Sequence, residues 1–136
     1  MLLDYKNDYE KISMGLLSFV PDLKDVSRLQ DEMDWYQSKE DRKLYLWKSE
    51  DTQDIVGVIG VEIGNDMILL RHISINPSYR NEGISYKMLE ALEHRFLQKK
   101  IMGTLETSAL VAKWEQEKSK QNQQQILVSD DEKGEG

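Results

Sequence analysis

Two nine-residue runs, Ile55–Ile63 (IVGVIGVEI) and Met67–Ile75 (MILLRHISI), stand on either side of Gly64-Asn65-Asp66. Both are rich in β-branched and apolar residues, and the three residues between them are turn formers. A connection this short rules out a crossover, so the two runs must pair antiparallel. Such a pair needs more strands, or a helix packed on it, to be stable. Lys43–Lys48 (KLYLWK) alternates like a strand and reaches Ile55 through the polar turn Ser49–Asp54, which makes a three-stranded meander.

The flanking segments carry the helical period. Tyr9, Ile12, Leu16 and Val20 fall near one face of a helix over Tyr9–Val20, which Pro21 stops. Val26, Leu29, Met33 and Tyr36 make one stripe of a second helix over about Asp22–Ser38, with Asp25 or Asp22 as its cap. After a loop at Asn76–Gly83, a helix is predicted over Ser85–Lys100, with Met88, Leu89, Leu92 and Phe96 inward and Arg95, Lys99 and Lys100 in its last turns. A short strand at Ile101–Leu105 and a helix from Thr107 to about Lys118 follow, the latter anchored by Leu110, Val111 and Trp114. The order predicts an α/β (α+β) layer protein on a mixed, mostly antiparallel sheet flanked by helices. We expect one domain over residues 1–118 and a polar, Gln-rich tail over 119–136 that is partly disordered, with Ile126–Val128 as its only candidate strand.

Composition narrows the function. There is no cysteine, so disulfides, thiolate metal sites and cysteine nucleophiles are excluded. No run approaches the ~18–20 apolar residues of a membrane span, and no signal peptide is visible at the N-terminus. The expectation is a soluble cytoplasmic protein without membrane contact. The net charge of -7 argues against a nucleic-acid partner. Residues 71–100, however, hold six Lys/Arg against three Glu, a local +3 in a chain that is otherwise -10. A positive field inside an acidic protein suits a small polyanion.

The stretch Ile75–Ser85 links a strand to a helix. Such a junction leaves backbone N–H groups unpaired, and the helix dipole adds partial positive charge there. Gly83 lets a ligand oxygen approach the backbone, and Arg80 adds a fixed charge at the mouth of the loop. The residues by themselves fit a phosphate site or an ordinary turn glycine before a helix. Neither the Walker pattern GxxxxGK[ST] nor the Rossmann pattern GxGxxG is present.

The run Ile75–Leu89, read as I-x-P-x-x-R-x-x-G-I-x-x-x-x-L, resembles motif A of the GNAT family of acetyltransferases. The family's turn reads Q/R-x-x-G-x-G/A; here Arg80 and Gly83 match, and Ser85 replaces the last small residue. Pro77 and the lead-in of two helices and three strands fit the same order. The resemblance implies a GNAT fold in which one strand splays from its neighbour at an acetyl-CoA site. It implies that the backbone of Ile73, Ser74 and Ile75 pairs with pantetheine amides like an added strand. The N–H groups of Arg80, Asn81, Glu82, Gly83, Ile84 and Ser85 would then cradle the pyrophosphate, with Thr107 as a further contact on the last helix. Neither contact calls for a metal.

Transfer of an acetyl group from a thioester to an amine is helped by a base for the amine and an acid for the thiolate. Ile68 and Leu69 stand where some relatives carry a glutamate, which leaves Glu62 and His72 as the candidate bases. His72 equally fits a structural strand histidine. Trp114 occupies the position of the family's acidic tyrosine and cannot donate such a proton; Tyr79 and Tyr86 are alternative phenols. Trp35, Tyr36, Tyr45 and Trp47 fit an acceptor pocket or, more simply, the core. Three readings follow: an acetyl-CoA-dependent N-acetyltransferase acting on an amine, a GNAT-fold module that binds CoA for regulation, and an interaction domain without cofactor. Oligomeric state is left open, a homodimer included.

Overall fold

A computed structural model describes residues 1–80 and 82–135, with side-chain surroundings up to Gln123. The order is β1 (Leu2–Asp4), α1 (Glu10–Leu17), α2 (Val26–Gln37), β2 (Arg42–Lys48), β3 (Ile55–Ile63), β4 (Met67–Ile75), α3 (Ile84–Arg95), β5 (Lys100–Gly103) and α4 (Ser108–Glu135). The five strands lie in sequence order in one sheet; β1 to β4 are antiparallel, and β5 runs parallel to β4 after the α3 crossover. This is the α/β layer architecture expected, and the bounds of β3 and β4 coincide with the two runs read from the sequence.

Each face of the sheet has its own core. Leu16, Leu17, Leu29, Met33 and Tyr36 of α1 and α2 pack on Leu44, Leu46 and Val58. On the other face, Ile84, Met88, Leu89 and Leu92 of α3 and Val111 and Trp114 of α4 cover Tyr45, Ile59, Val61, Ile68 and Leu70. The centre of the sheet is thus buried on both faces, which explains the near-continuous apolar sequence of β3.

Several boundaries differ from expectation for local reasons. β1 was not predicted; it exists because Leu2, Leu3 and Asp4 find the free edge of β2. The inward face of α1 is Ser13, Leu16 and Leu17, whereas Ile12 is exposed. Asp25 is the true cap of α2, its carboxylate accepting from the Ser27 amide at 3.0 Å. Val26 follows at the first helical position and points outward. Helix α3 stops at Arg95, so Lys99 and Lys100 are not in its last turn: Lys99 Nζ donates to Gly64 O at 2.5 Å, and Lys100 opens β5. Helix α4 continues well past Lys118, and Ile126–Val128 lie within it and not in a strand.

Candidate functional site

The site is made by a strand that is paired on one side only. β5 pairs with β4 from Met67 to Leu70 and then ends. β3 continues to pair with the rest of β4, up to Ile75. From Arg71 to Ile75 the β5-side edge of β4 is therefore open. The amide of Asn76 donates to Val56 O at 2.8 Å, which sets the phase of the ladder. Antiparallel alternation then turns the N–H and C=O of His72 and Ser74 toward β3, and those of Ile73 and Ile75 toward the open edge.

This corrects one expectation. Ser74 does not share the role of its neighbours, because its backbone groups belong to β3. Its buried hydroxyl donates to Leu16 O at 2.6 Å, tying α1 to the sheet.

A β-bulge precedes the open edge. Gly60 is opposite His72 and Val61 is opposite Leu70, so Arg71 is the extra residue. The bulge shifts the side-chain parity. Ile68 and Leu70 face the α3 side before it, and Ile73 and Ile75 face that side after it. Arg71 and His72, although adjacent, therefore both reach the α2 side. The Arg71 guanidinium stacks on Trp35 at 4.1 Å from the ring centre, and Arg42 covers the ring at 3.9 Å. His72 Nδ1 lies 2.5 Å from the Tyr36 hydroxyl. Tyr36 reaches that position because Gly60 has no side chain; a Cβ there would sit 2.2 Å from the hydroxyl oxygen.

Thr107 holds the strands apart. Its hydroxyl donates to Leu70 O at 2.8 Å and accepts from the Thr104 amide at 2.9 Å. It thus takes the carbonyl at the last paired residue of β4, where β5 turns away into α4. That turn is tight: a Cβ on Gly103 would lie 2.6 Å from Ser108 Cα. Thr107 was expected to bond a cofactor; the hydrogen of its buried hydroxyl is committed to Leu70 O, so its contribution in this structure is to shape the opening.

The open edge lines a cleft of about 990 Å³. Ile73, Ser74, Ile75, Arg80, Ser85, Thr107 and His72 all border it. At one end it meets the start of α3, where Gly83 has φ 72° and serves as the left-handed N-cap. Among the described residues, the amides of Gly83, Ile84, Ser85 and Tyr86 have no protein acceptor. The Arg80 amide bonds to Pro77 O at 3.3 Å, a second departure from the expected cradle. The Arg80 side chain is exposed at the mouth, 5.9 Å from the centre of the Phe19 ring. Glu82 and Ile84 border a different hollow, beside Trp47 and Lys87. Asn81 lies outside the described residues.

The other end is mixed in charge, with Asp22, Asp31, Glu32 and Glu106 against Arg28 and Arg71. Burial, reinforced by Arg71, lowers the His72 pKa to about 4, against the smaller opposing pull of Glu106 and Asp22. The ring is neutral at neutral pH. Burial pushes the Tyr36 phenol up, with Arg71 acting in the other direction. Glu62 does not border the cleft; it sits on β3 two residues past Gly60, opposite Arg42 and Leu69. Tyr79 and Tyr86 border other hollows. Trp114 is a core residue. Tyr36, expected in an acceptor pocket or the core, lies in the core and reaches the cleft through His72. Arg71 was not predicted to belong to the site, and the bulge that brings it there leaves no local sequence signal beyond Gly60.

Known proteins resemble this chain in sequence and in fold. Residues 12–118 match the model of the acetyltransferase (GNAT) family. A Bacillus methanolicus protein named as an uncharacterized N-acetyltransferase in the lysA 3′ region is 45% identical over 116 residues, which cover 85% of this chain and 95% of that one. Aminoglycoside 6′-N-acetyltransferase AAC(6′)-Ih from Acinetobacter baumannii superposes with a TM-score of 0.59 at 18% identity, over 76% of this chain and 78% of its own. Aminoglycoside N-acetyltransferase AAC(6′)-Iy, solved in complex with CoA, gives 0.62 at 11% identity over 80% of each chain. At these identities the two structures speak to the fold.

Proposed function

Because the chain belongs to the acetyltransferase (GNAT) family, we propose that the cleft along the open edge of β4 binds acetyl-CoA and delivers its acetyl group to an amine beside His72. The chain is an N-acetyltransferase of the GNAT type; the placement of cofactor and acceptor is our reading. The observation that carries it is the continuity of a strand edge and a helix start that are both unpaired among the described residues.

The residues fit the ligand in two ways. Ile73 and Ile75 offer backbone donors and acceptors at strand spacing, as an extended amide-bearing arm requires. The amides of Gly83 to Tyr86 converge at a helix N-terminus, as a diphosphate requires, with Arg80 adding charge. Bound there, acetyl-CoA supplies a thioester whose acyl carbon bonds to the acceptor nitrogen as the C–S bond breaks, the nitrogen's proton ending on sulfur. The free N–H groups of the β4 edge are donors fixed before the reaction, the arrangement that stabilises charge developing on an acyl oxygen. Of the two candidate bases, His72 borders the cleft and Glu62 does not.

The four carboxylates at the far end favour a cationic amine as acceptor over an anionic one. The runs Lys11–Pro21, Leu46–Lys48, Ile55–Glu62 and Arg71–Ser78 also look like those of RibT, the GNAT-type protein encoded with riboflavin-synthesis enzymes in Bacillus-like bacteria. We therefore include amines linked to riboflavin synthesis among the acceptors to test. Calorimetric titration with CoA tests the cleft: stoichiometric binding is expected, and its absence would refute the reading.

A further inference from the structure

We propose that Tyr36 is a positioning residue that holds His72 as the Nε2–H tautomer, so that the ring meets the reacting atoms as a hydrogen-bond donor and not as a base. This rests on the cleft being the site of acetyl transfer.

The argument counts hydrogens. Tyr36 is 3% exposed, with its ring laid over Gly60 inside the α2-side core. A buried phenol has one hydrogen to place, and leaving it without an acceptor forfeits the hydroxyl's hydration. Its side-chain partner among the described residues is His72 Nδ1 at 2.5 Å. Had Nδ1 carried the hydrogen, the phenol's would have had no side-chain acceptor within hydrogen-bond distance among the described residues. So the phenol donates, Nδ1 accepts, and the neutral ring carries its single hydrogen on Nε2.

The surroundings keep both partners in that state. Burial keeps the phenol protonated, with Glu32 and Glu62 acting in the same direction and Arg71 against them. Arg71, Asp22 and Glu106 act on the ring; the two carboxylates favour an imidazolium, but burial and Arg71 prevail. On the other edge of the ring, Nε2 has no partner among the described residues, is not sealed from solvent, and belongs to a residue that borders the cleft. A neutral N–H held in place can serve an atom that gains negative charge during acyl transfer. A base would need that same nitrogen to be bare.

The test is a long-range proton–nitrogen NMR correlation on the 15N-labelled full chain near neutral pH. With two histidines, His72 and His94, assignment needs one His72→Gln spectrum. We expect His72 Nδ1 to be of the unprotonated type and Nε2 of the protonated type; the reverse, or averaged shifts, overturns the proposal. Tyr36→Phe should bring the two nitrogens toward averaged values. CoA, used as the probe, should shift the His72 Nε2 resonance, and binding without that shift would place the ring away from the reacting atoms and end the proposal. If CoA gives no heat at all, the cleft reading fails by itself, whatever the tautomer. With acetyl-CoA and an amine that is turned over, His72→Ala should lose about 100-fold in kcat. His72→Gln, which keeps an N–H but is no base, should retain most of that. Equal loss in both variants would restore His72 as a base.

Discussion

The Tyr36 hydroxyl and His72 Nδ1 meet at 2.5 Å across Gly60, joining the second helix to the fourth strand at the edge of the cleft. The contact depends on an absent side chain. In Gly60→Ala the new Cβ would lie 2.2 Å from the hydroxyl oxygen and 2.5 Å from Cζ, so a fully packed ring must move. We expect a loss of about 1–3 kcal/mol, the usual range for overpacking a core. Urea unfolding measures it; a variant as stable as wild type would show that the ring has another place to go.

His72 makes stability depend on pH. The unfolded ring takes up a proton near 6.5, whereas the folded ring does so only near 4. The unfolded state therefore binds more protons between these values, and stability falls as pH drops through that window. Urea midpoints at about pH 7 and about pH 5 should differ less in His72→Gln than in wild type. An unchanged difference would mean that the ring is not kept neutral.

Thr107→Val separates the shaping of the cleft from its binding. The substitution keeps the volume but removes the donor to Leu70 O and the acceptor for the Thr104 amide, both in a buried setting. A cost of about 1–3 kcal/mol follows, with faster hydrogen exchange at Thr104. Thr107→Ser retains the hydroxyl and should lose less than the valine variant.

Arg80 and Gly83 should part stability from affinity. Arg80 is exposed, so Arg80→Glu should leave stability within about 0.5 kcal/mol. CoA affinity should fall by more than about tenfold, since a charge that attracts phosphate becomes one that repels it. A Cβ on Gly83 meets nothing within 4 Å, so Gly83→Ala costs only its left-handed φ, about 1–2 kcal/mol. It should also weaken CoA binding by crowding the ligand's approach. Calorimetry decides both; unchanged affinity in Arg80→Glu would remove the phosphate from this loop.

The Pro77–Leu89 segment and the strand runs made the fold and the turn before the third helix legible, because turn chemistry and period are local properties of the chain. The misreadings were equally physical. Thr107 carried a hydroxyl at an expected contact position, but nothing nearby in sequence revealed that Leu70 O would claim it. Ser74 stood between Ile73 and Ile75 in an apparently uniform strand, and only the phase of pairing with β3 separated their roles.

Sequence alone determined that Ile55–Ile63 and Met67–Ile75 form a hairpin, that helices cover it, and that a glycine-bearing turn opens the third helix, since each follows from short-range sterics and apolar period. Tertiary structure decided where β5 stops, which left Ile73 and Ile75 unpaired, and it decided the bulge at Arg71. That one extra residue turns Arg71 and His72 onto Trp35 and Tyr36, residues more than thirty positions away. A bulge is chosen by the register of two strands and the helix packed over them, and no single segment of the chain contains all three.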